Sequence, residues 1–250
     1  MLTDEQLLRY SRHILLPQVD VQGQEAFAGA RVLIIGVGGL GSPVALYLAA
    51  SGIGQLVLVD DDIVEISNLQ RQIAHVESRI GQPKVSSAAE AATALNHLVQ
   101  VETIPHRLTE DQLDQQVEKA DVVVDCSDNF TTRTSINAAC VRAKKPLVSG
   151  AAIGLEGQLA VFDSRRDDSP CYQCLYDVTG NENLSCAESG VLAPLVGVMG
   201  SMQALEVLKL IGNFGEPLIG RLLLFDAGQT RWRELRLRRD PACGVCGEQS

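Results

Sequence analysis

The chain has 250 residues, 46% hydrophobic and 21% charged, a balance suited to one large globular domain or two small ones with an ample core. Its net charge of −10 argues against a general nucleic-acid binder, which needs a basic surface, although a pocket can still be locally cationic. Met1–Arg12 is polar and charged, without the apolar core of a leader peptide. Val191–Gly200 is only about half a membrane span. A cytoplasmic protein that engages neither membrane nor nucleic acid is expected.

In chain order, Thr3 and Gln6 have the spacing of a capping box, which predicts an amphipathic helix to about Ile14 carrying Arg9, Arg12 and His13. Val32–Ile35 reads as a buried strand, and Gly36-Val37-Gly38-Gly39-Leu40-Gly41 follows it with G-x-G-x-x-G spacing. Glycines are required where a backbone turns tightly against phosphate, and the next helix, Val44–Ala50, adds unpaired N–H groups at its start. The strand Leu56–Val59 ends in Asp60, at the spacing of a carboxylate that accepts ribose hydroxyls. Further elements are expected at Lys84–Leu95 (helix), Val99–Ile104 (strand), a helix capped by Thr109 and Gln112, and Val122–Asp125 (strand). A helix at about Thr131–Ala143 and the strand Leu147–Ala151 complete this part.

Strands alternating with helices over residues 31–151 imply a Rossmann-like, doubly wound, mostly parallel sheet. Beyond it, Gly157–Phe162, Arg221–Asp226 and Thr230–Arg238 read as longer antiparallel strands that extend the sheet. The last alternates as if one face were dry. Val191–Ile211 reads as one long buried helix, and Tyr176–Gly190 as an exposed loop. The expected organisation is a single unit over 1–250: N-terminal helices at 1–30, a nucleotide-binding part at 31–151, and a metal-clamped part at 152–250.

Seven cysteines without a leader argue against disulfides. Two C-x-x-C pairs, Cys171/Cys174 and Cys243/Cys246, supply four thiolates, enough for a closed tetrahedral zinc site, which would be structural. A redox or merely buried role for these thiols is the alternative. Cys126 and Cys140 are expected to be buried, and none of the four histidines shows ligand spacing.

Strand ends of an open α/β sheet converge on one crevice, which places the glycine loop, Asp60 and Asp128-Asn129 together. Ser67-Asn68-Leu69-Gln70-Arg71-Gln72 and Lys84 lie on the connection that can close over it. Glycine amides, a ribose acceptor, two cations and a metal-binding carboxylate suit a nucleoside triphosphate with magnesium better than a dinucleotide. Of the run Asp60-Asp61-Asp62, only the first is expected to enter the site.

These motifs, with Gly81-Gln-Pro-Lys84, Asp125-Cys-Ser-Asp128-Asn129 and both cysteine pairs, resemble the bacterial relatives of ubiquitin-activating enzymes nearly end to end. Val148–Ile153, Glu156-Gly-Gln158 and Glu188–Pro194 are more similar to the branch serving molybdenum cofactor synthesis. Gln229–Arg233 leans toward the thiamine branch. The resemblance implies ATP-dependent adenylation of the C-terminal Gly-Gly carboxylate of a small ubiquitin-like sulfur carrier, the small subunit of molybdopterin synthase or its thiamine-pathway counterpart. It implies ATP, Mg2+ and structural Zn2+ as cofactors, a homodimer, and a sulfurtransferase or cysteine desulfurase as a further partner. By the same resemblance, Gly36, Gly38, Gly39, Gly41, Asp60, Ser67, Asn68, Leu69, Gln70, Arg71, Lys84, Asp128 and Asn129 hold the nucleotide. Arg71, Lys84 and Asp128 would be catalytic, and Arg12 would reach the partner subunit's site. Cys186 is a candidate for a covalent bond to the carrier, with an incidental loop thiol as the alternative. Two rival classes predict different behaviour: an NAD-dependent oxidoreductase, and a scaffold that binds the carrier without catalysis.

Overall fold

The computed structural model describes residues 1–176 and 190–247. The loop expected between Tyr176 and Gly190, with Cys186, lies outside the described residues apart from its two ends. Eight strands form one sheet: β1 (Arg31–Ile35), β2 (Gln55–Val59), β3 (Gln100–Ile104), β4 (Val122–Asp125), β5 (Leu147–Ile153), β6 (Glu156–Phe162), β7 (Arg221–Asp226) and β8 (Arg231–Arg236). Their order is β3-β2-β1-β4-β5-β6-β7-β8. The first five pair in parallel and the last three add on antiparallel. This is the doubly wound sheet with an antiparallel extension expected from the pattern. Connectivity reverses between β1 and β4, so the crevice opens at their C-terminal ends.

Helices cover both faces: α1 (Asp4–Arg9), α2 (Ser11–Ile14), α3 (Asp20–Gly29), α4 (Gly41–Ala50), α5 (Lys84–Leu95), α6 (Glu110–Lys119), α7 (Phe130–Ala143), the short α8 (Tyr172–Leu175) and α9 (Ala193–Gly212). The capping boxes at Thr3 and Thr109 are both present. The predicted first helix is instead broken at Tyr10, whose buried ring accepts a hydrogen bond on its hydroxyl from Asn96 at 2.8 Å. Burying that ring takes precedence over continuing one short helix.

Among the described residues, α9 alone is long and apolar enough to cross a membrane. It packs on α4, β5 and β6 and carries the buried Gln203 and Glu206. Both are partnered: Gln203 Nε2 donates to the Asp125 carbonyl at 2.8 Å, and Glu206 accepts from Lys209 and the Leu218 amide. Apolar burial drives the rest of the core, with Val32, Leu33, Ile34, Leu56, Val57 and Leu58 fully enclosed. The expectation of one dry face for β8 is corrected: all six residues are exposed, and Leu235 is 49% accessible. Its Trp232 lies on Phe225 of β7 with ring centroids 4.2 Å apart.

Candidate nucleotide site and sulfur cluster

β1 ends where the chain must double back beneath β4. Gly36 has φ +89, and a Cβ there would stand 2.7 Å from the Cys126 carbonyl oxygen. Gly41 opens α4 so close to Gly36 that any side chain would overlap its carbonyl. The peptide of Val37 between them is held from both sides. Its N–H donates to Asp60 Oδ2 at 2.7 Å, and its carbonyl accepts from His75 Nε2 at 3.1 Å. A carbonyl only accepts, so Nε2 carries the proton. The neutral ring then accepts at Nδ1 from the Ser87 hydroxyl, 3.0 Å away. Burial, with Lys84 and Arg79 nearby, holds the His75 pKa below its ordinary value. Asp60 Oδ1 accepts the Asp62 amide at 2.9 Å. Burial raises the Asp60 pKa, against the Val37 amide and Lys84, which lower it.

Around this loop lies a cleft of about 550 Å³ lined by Gly36, Gly38, Gly39, Asp60, Arg71, Lys84, Asp128 and Asn129, all anticipated from the sequence. Gly41, Ser67, Asn68, Leu69 and Gln70 do not line it. Asn68 is locked in a local cap, accepting the Glu65 amide at 3.0 Å, and Ser67 and Gln70 face solvent. Arg12 is exposed on α2, away from the cleft. Asn129 caps α7 by accepting the Thr132 amide.

One expectation holds only in part: Asp61 and Asp62 are exposed to solvent as expected, but they are not outside the site. Asp61 and Asp62 also line the cleft, and they hold its cations: Asp62 takes Lys84 Nζ at 2.6 Å and Asp61 takes Arg107 at 2.9 Å. Sequence reading also missed Gln72, Arg107, Arg133 and His75. Gln72 is buried beside Gly38 and was the readable one, since it ends the polar cluster.

The four cysteines of the two pairs converge. Sγ separations are 3.9 Å for Cys171–Cys174, 3.7 Å for Cys171–Cys243 and 3.4 Å for Cys174–Cys246. All four sulfurs lie within 4.8 Å of one another. Disulfides, at about 2.05 Å, are excluded. Four sulfurs around one ion at about 2.3 Å would stand about 3.8 Å apart, close to what is found. Asn137 Nδ2 points at Cys171 Sγ (3.6 Å), and the Asp240 amide at Cys174 Sγ (3.4 Å). The other described cysteines, Cys126 and Cys140, are buried as expected, and burial raises both thiols.

Residues 10–245 match the ThiF family. The chain belongs to that family. Molybdopterin-synthase adenylyltransferase of Salmonella typhimurium is 46% identical over 247 residues, 99% of each chain. The sulfur carrier protein ThiS adenylyltransferase of Escherichia coli is also 46% identical, over 98% of this chain and 97% of that one. The crystal structure of E. coli MccB with ATP superposes with a TM-score of 0.84 at 27% identity, covering 96% of this chain and 73% of that one. ThiF membership sets aside the oxidoreductase alternative and bears out the resemblance read from the motifs.

Proposed function

We propose that this chain is an adenylyltransferase that uses ATP to activate the C-terminal Gly-Gly carboxylate of a small ubiquitin-like sulfur carrier. The observation that carries the reading is a glycine-loop cleft whose Arg71 faces the space without a carboxylate partner among the described residues. The carrier is the small subunit of molybdopterin synthase; the equal identity to the ThiS-specific relative keeps the thiamine-pathway carrier as the alternative.

A carboxylate oxygen of the carrier attacks the α-phosphorus of ATP and forms the new O–P bond. The bond to the bridging oxygen breaks, and pyrophosphate leaves with the electron pair. A C-terminal carboxyl group has a pKa of about 3.5, so it arrives ionised and no general base is needed. The work is electrostatic. The amides of Gly38 and Gly39 and the start of α4 meet phosphate oxygens, Asp60 accepts the ribose hydroxyls, and Arg71 and Lys84 take up phosphate charge. Asp128, exposed on the cleft wall and without an ion pair among the described residues, has the oxygen chemistry to hold magnesium. Magnesium, when bound, neutralises phosphate charge. The resulting acyl-adenylate is the substrate for a sulfurtransferase or cysteine desulfurase.

The four-sulfur cluster fits zinc. Burial holds Cys171 and Cys246 as thiols, the latter pushed up to about 11, and a dication is what would ionise them. Zinc there closes the structure and leaves no position for substrate. Exposed leucines on and around the first two helices, Leu8, Leu15 and Leu16, support a homodimer in which Arg12 serves the second copy's cleft. The protein acts in the cytoplasm as one unit over 1–250.

The direct test is to incubate the protein with each carrier and ATP-magnesium and weigh the products. A carrier heavier by one AMP is expected with the molybdopterin-synthase subunit, and no such product with either carrier overturns the reading. His75→Phe keeps the bulk but leaves the Val37 carbonyl without its donor. The KM for ATP is expected to rise about tenfold, equivalent to about 1.4 kcal/mol, with the carrier's KM unchanged. An unchanged KM for ATP would remove His75 from the loop's support.

A further inference from the structure

Helix α7 stands between the nucleotide cleft and the sulfur cluster. Its start forms one wall of the cleft, where Asp128, the cap Asn129, Thr132 and Ile136 line the space. Another of its faces, carrying Phe130, Arg133 and Asn137 one turn apart, rests on α8. Tyr172 of α8 meets all three. Its ring lies 6.1 Å from that of Phe130, its hydroxyl is hydrogen-bonded to Arg133, and its amide donates to Asn137 Oδ1 at 2.9 Å. The residue before it is Cys171, so the first thiol pair of the cluster is docked on the helix that also walls the cleft.

Asn137 makes that connection directly. It is 1% exposed, and Cys171 is buried beside it. A backbone N–H only donates, so the Tyr172 amide fixes which end of the carboxamide is the oxygen. The other end, Nδ2, then points at Cys171 Sγ, 3.6 Å away. A neutral thiol is a weak acceptor, whereas a metal-bound thiolate is negative and makes the same hydrogen bond charge-assisted. The buried donor is therefore best satisfied when a metal holds the sulfur ionised.

We infer that Asn137 is a positioning residue that couples the metal cluster to the nucleotide cleft. It strengthens the hold on the ion through Cys171 and, in doing so, fixes α7, so that ion and nucleotide favour each other's binding. This rests on the zinc reading of the cluster and on the nucleotide reading of the cleft. The ion secures α7 at its middle, and the nucleotide secures it at Asp128 and Asn129. The cost of ordering the helix falls on whichever arrives first, and the second binds without it.

The test is a zinc competition at equilibrium against a zinc-selective chelator, with and without a non-hydrolysable ATP analogue and magnesium. In wild-type protein the analogue is expected to tighten zinc about fivefold or more. Asn137→Asp keeps the acceptor for the Tyr172 amide and replaces the donor with a second oxygen that repels the thiolate. It is expected to bind zinc about tenfold or more weakly and to lose the effect of the analogue. Asn137→Ser, too short to reach Cys171, is expected to change both in the same direction, and it decides if Asn137→Asp fails to fold. Zinc affinity at the wild-type level in the folded variant overturns the inference. So does an analogue effect as large in the variant as in the wild type, or none in the wild type. Wild-type protein isolated without zinc defeats the zinc reading itself, and one that holds zinc but does not bind the analogue defeats the nucleotide reading; the inference falls with either.

Discussion

Arg71→Ala is expected to lower carrier-dependent ATP–pyrophosphate exchange by about two to three decades, the loss of roughly 2.7–4 kcal/mol of transition-state stabilisation. The fold should survive, because Arg71 is only partly buried and its hydrogen bond goes to the Ser67 carbonyl. No buried carboxylate is stranded when it leaves. Lys84 differs, since it is buried against Asp62 and its removal also unbalances the acidic run. Asp128→Ala should resemble Arg71→Ala, with the added signature that more magnesium partly restores the rate. Exchange at the wild-type rate in Arg71→Ala would take that side chain out of the mechanism, and it would not disturb the family assignment.

Removing the ion from the four-sulfur cluster is expected to have the largest effect on stability. Wild-type protein should carry one zinc per chain by elemental analysis, and Cys174→Ser should carry little. A strong chelator should lower the melting temperature by roughly 10 °C or more. The reason lies in what the cluster joins. Asn137 of α7 meets both Cys171 Sγ and the Tyr172 amide. Arg239 donates to the Asp167 carbonyl at 2.8 Å and also to that of Cys246. Loss of the ion would free the chain after β8 from α7. Absence of metal together with a melting curve indifferent to chelator would reduce the four thiols to an apolar packing contact.

The parallel half of the molecule was readable because its signals are local. Capping boxes at Thr3 and Thr109 need only residues three apart, and Lys84–Leu95 forms the helix its alanine-rich pattern predicts. The strands around the glycine loop show themselves as short apolar runs between turn residues. What stayed hidden depends on contacts between distant residues. Tyr10 breaks the first helix for the sake of Asn96, and nothing near Tyr10 announces it. His75 looked like a loop residue because its partners, Val37 and Ser87, come from two other segments. Arg133 sits in a helical pattern like any solvated arginine, and only the packing of α8 against α7 buries it beside Tyr172. For Asp61 and Asp62 the solvent exposure was readable, but not the cationic partners that fold in from elsewhere and meet them at the cleft.

The sulfur cluster also bears on the order in which the chain assembles. Its first pair belongs to the segment just after β6, while the second follows β8. A ribosome that has released everything through β7 has therefore exposed only half of the ligand set. The site cannot be completed before Cys243 and Cys246 emerge, so a chain stopped ahead of Cys243 would hold two thiols with nothing to close on. The four sulfurs can therefore meet only after all eight strands of the sheet have been made.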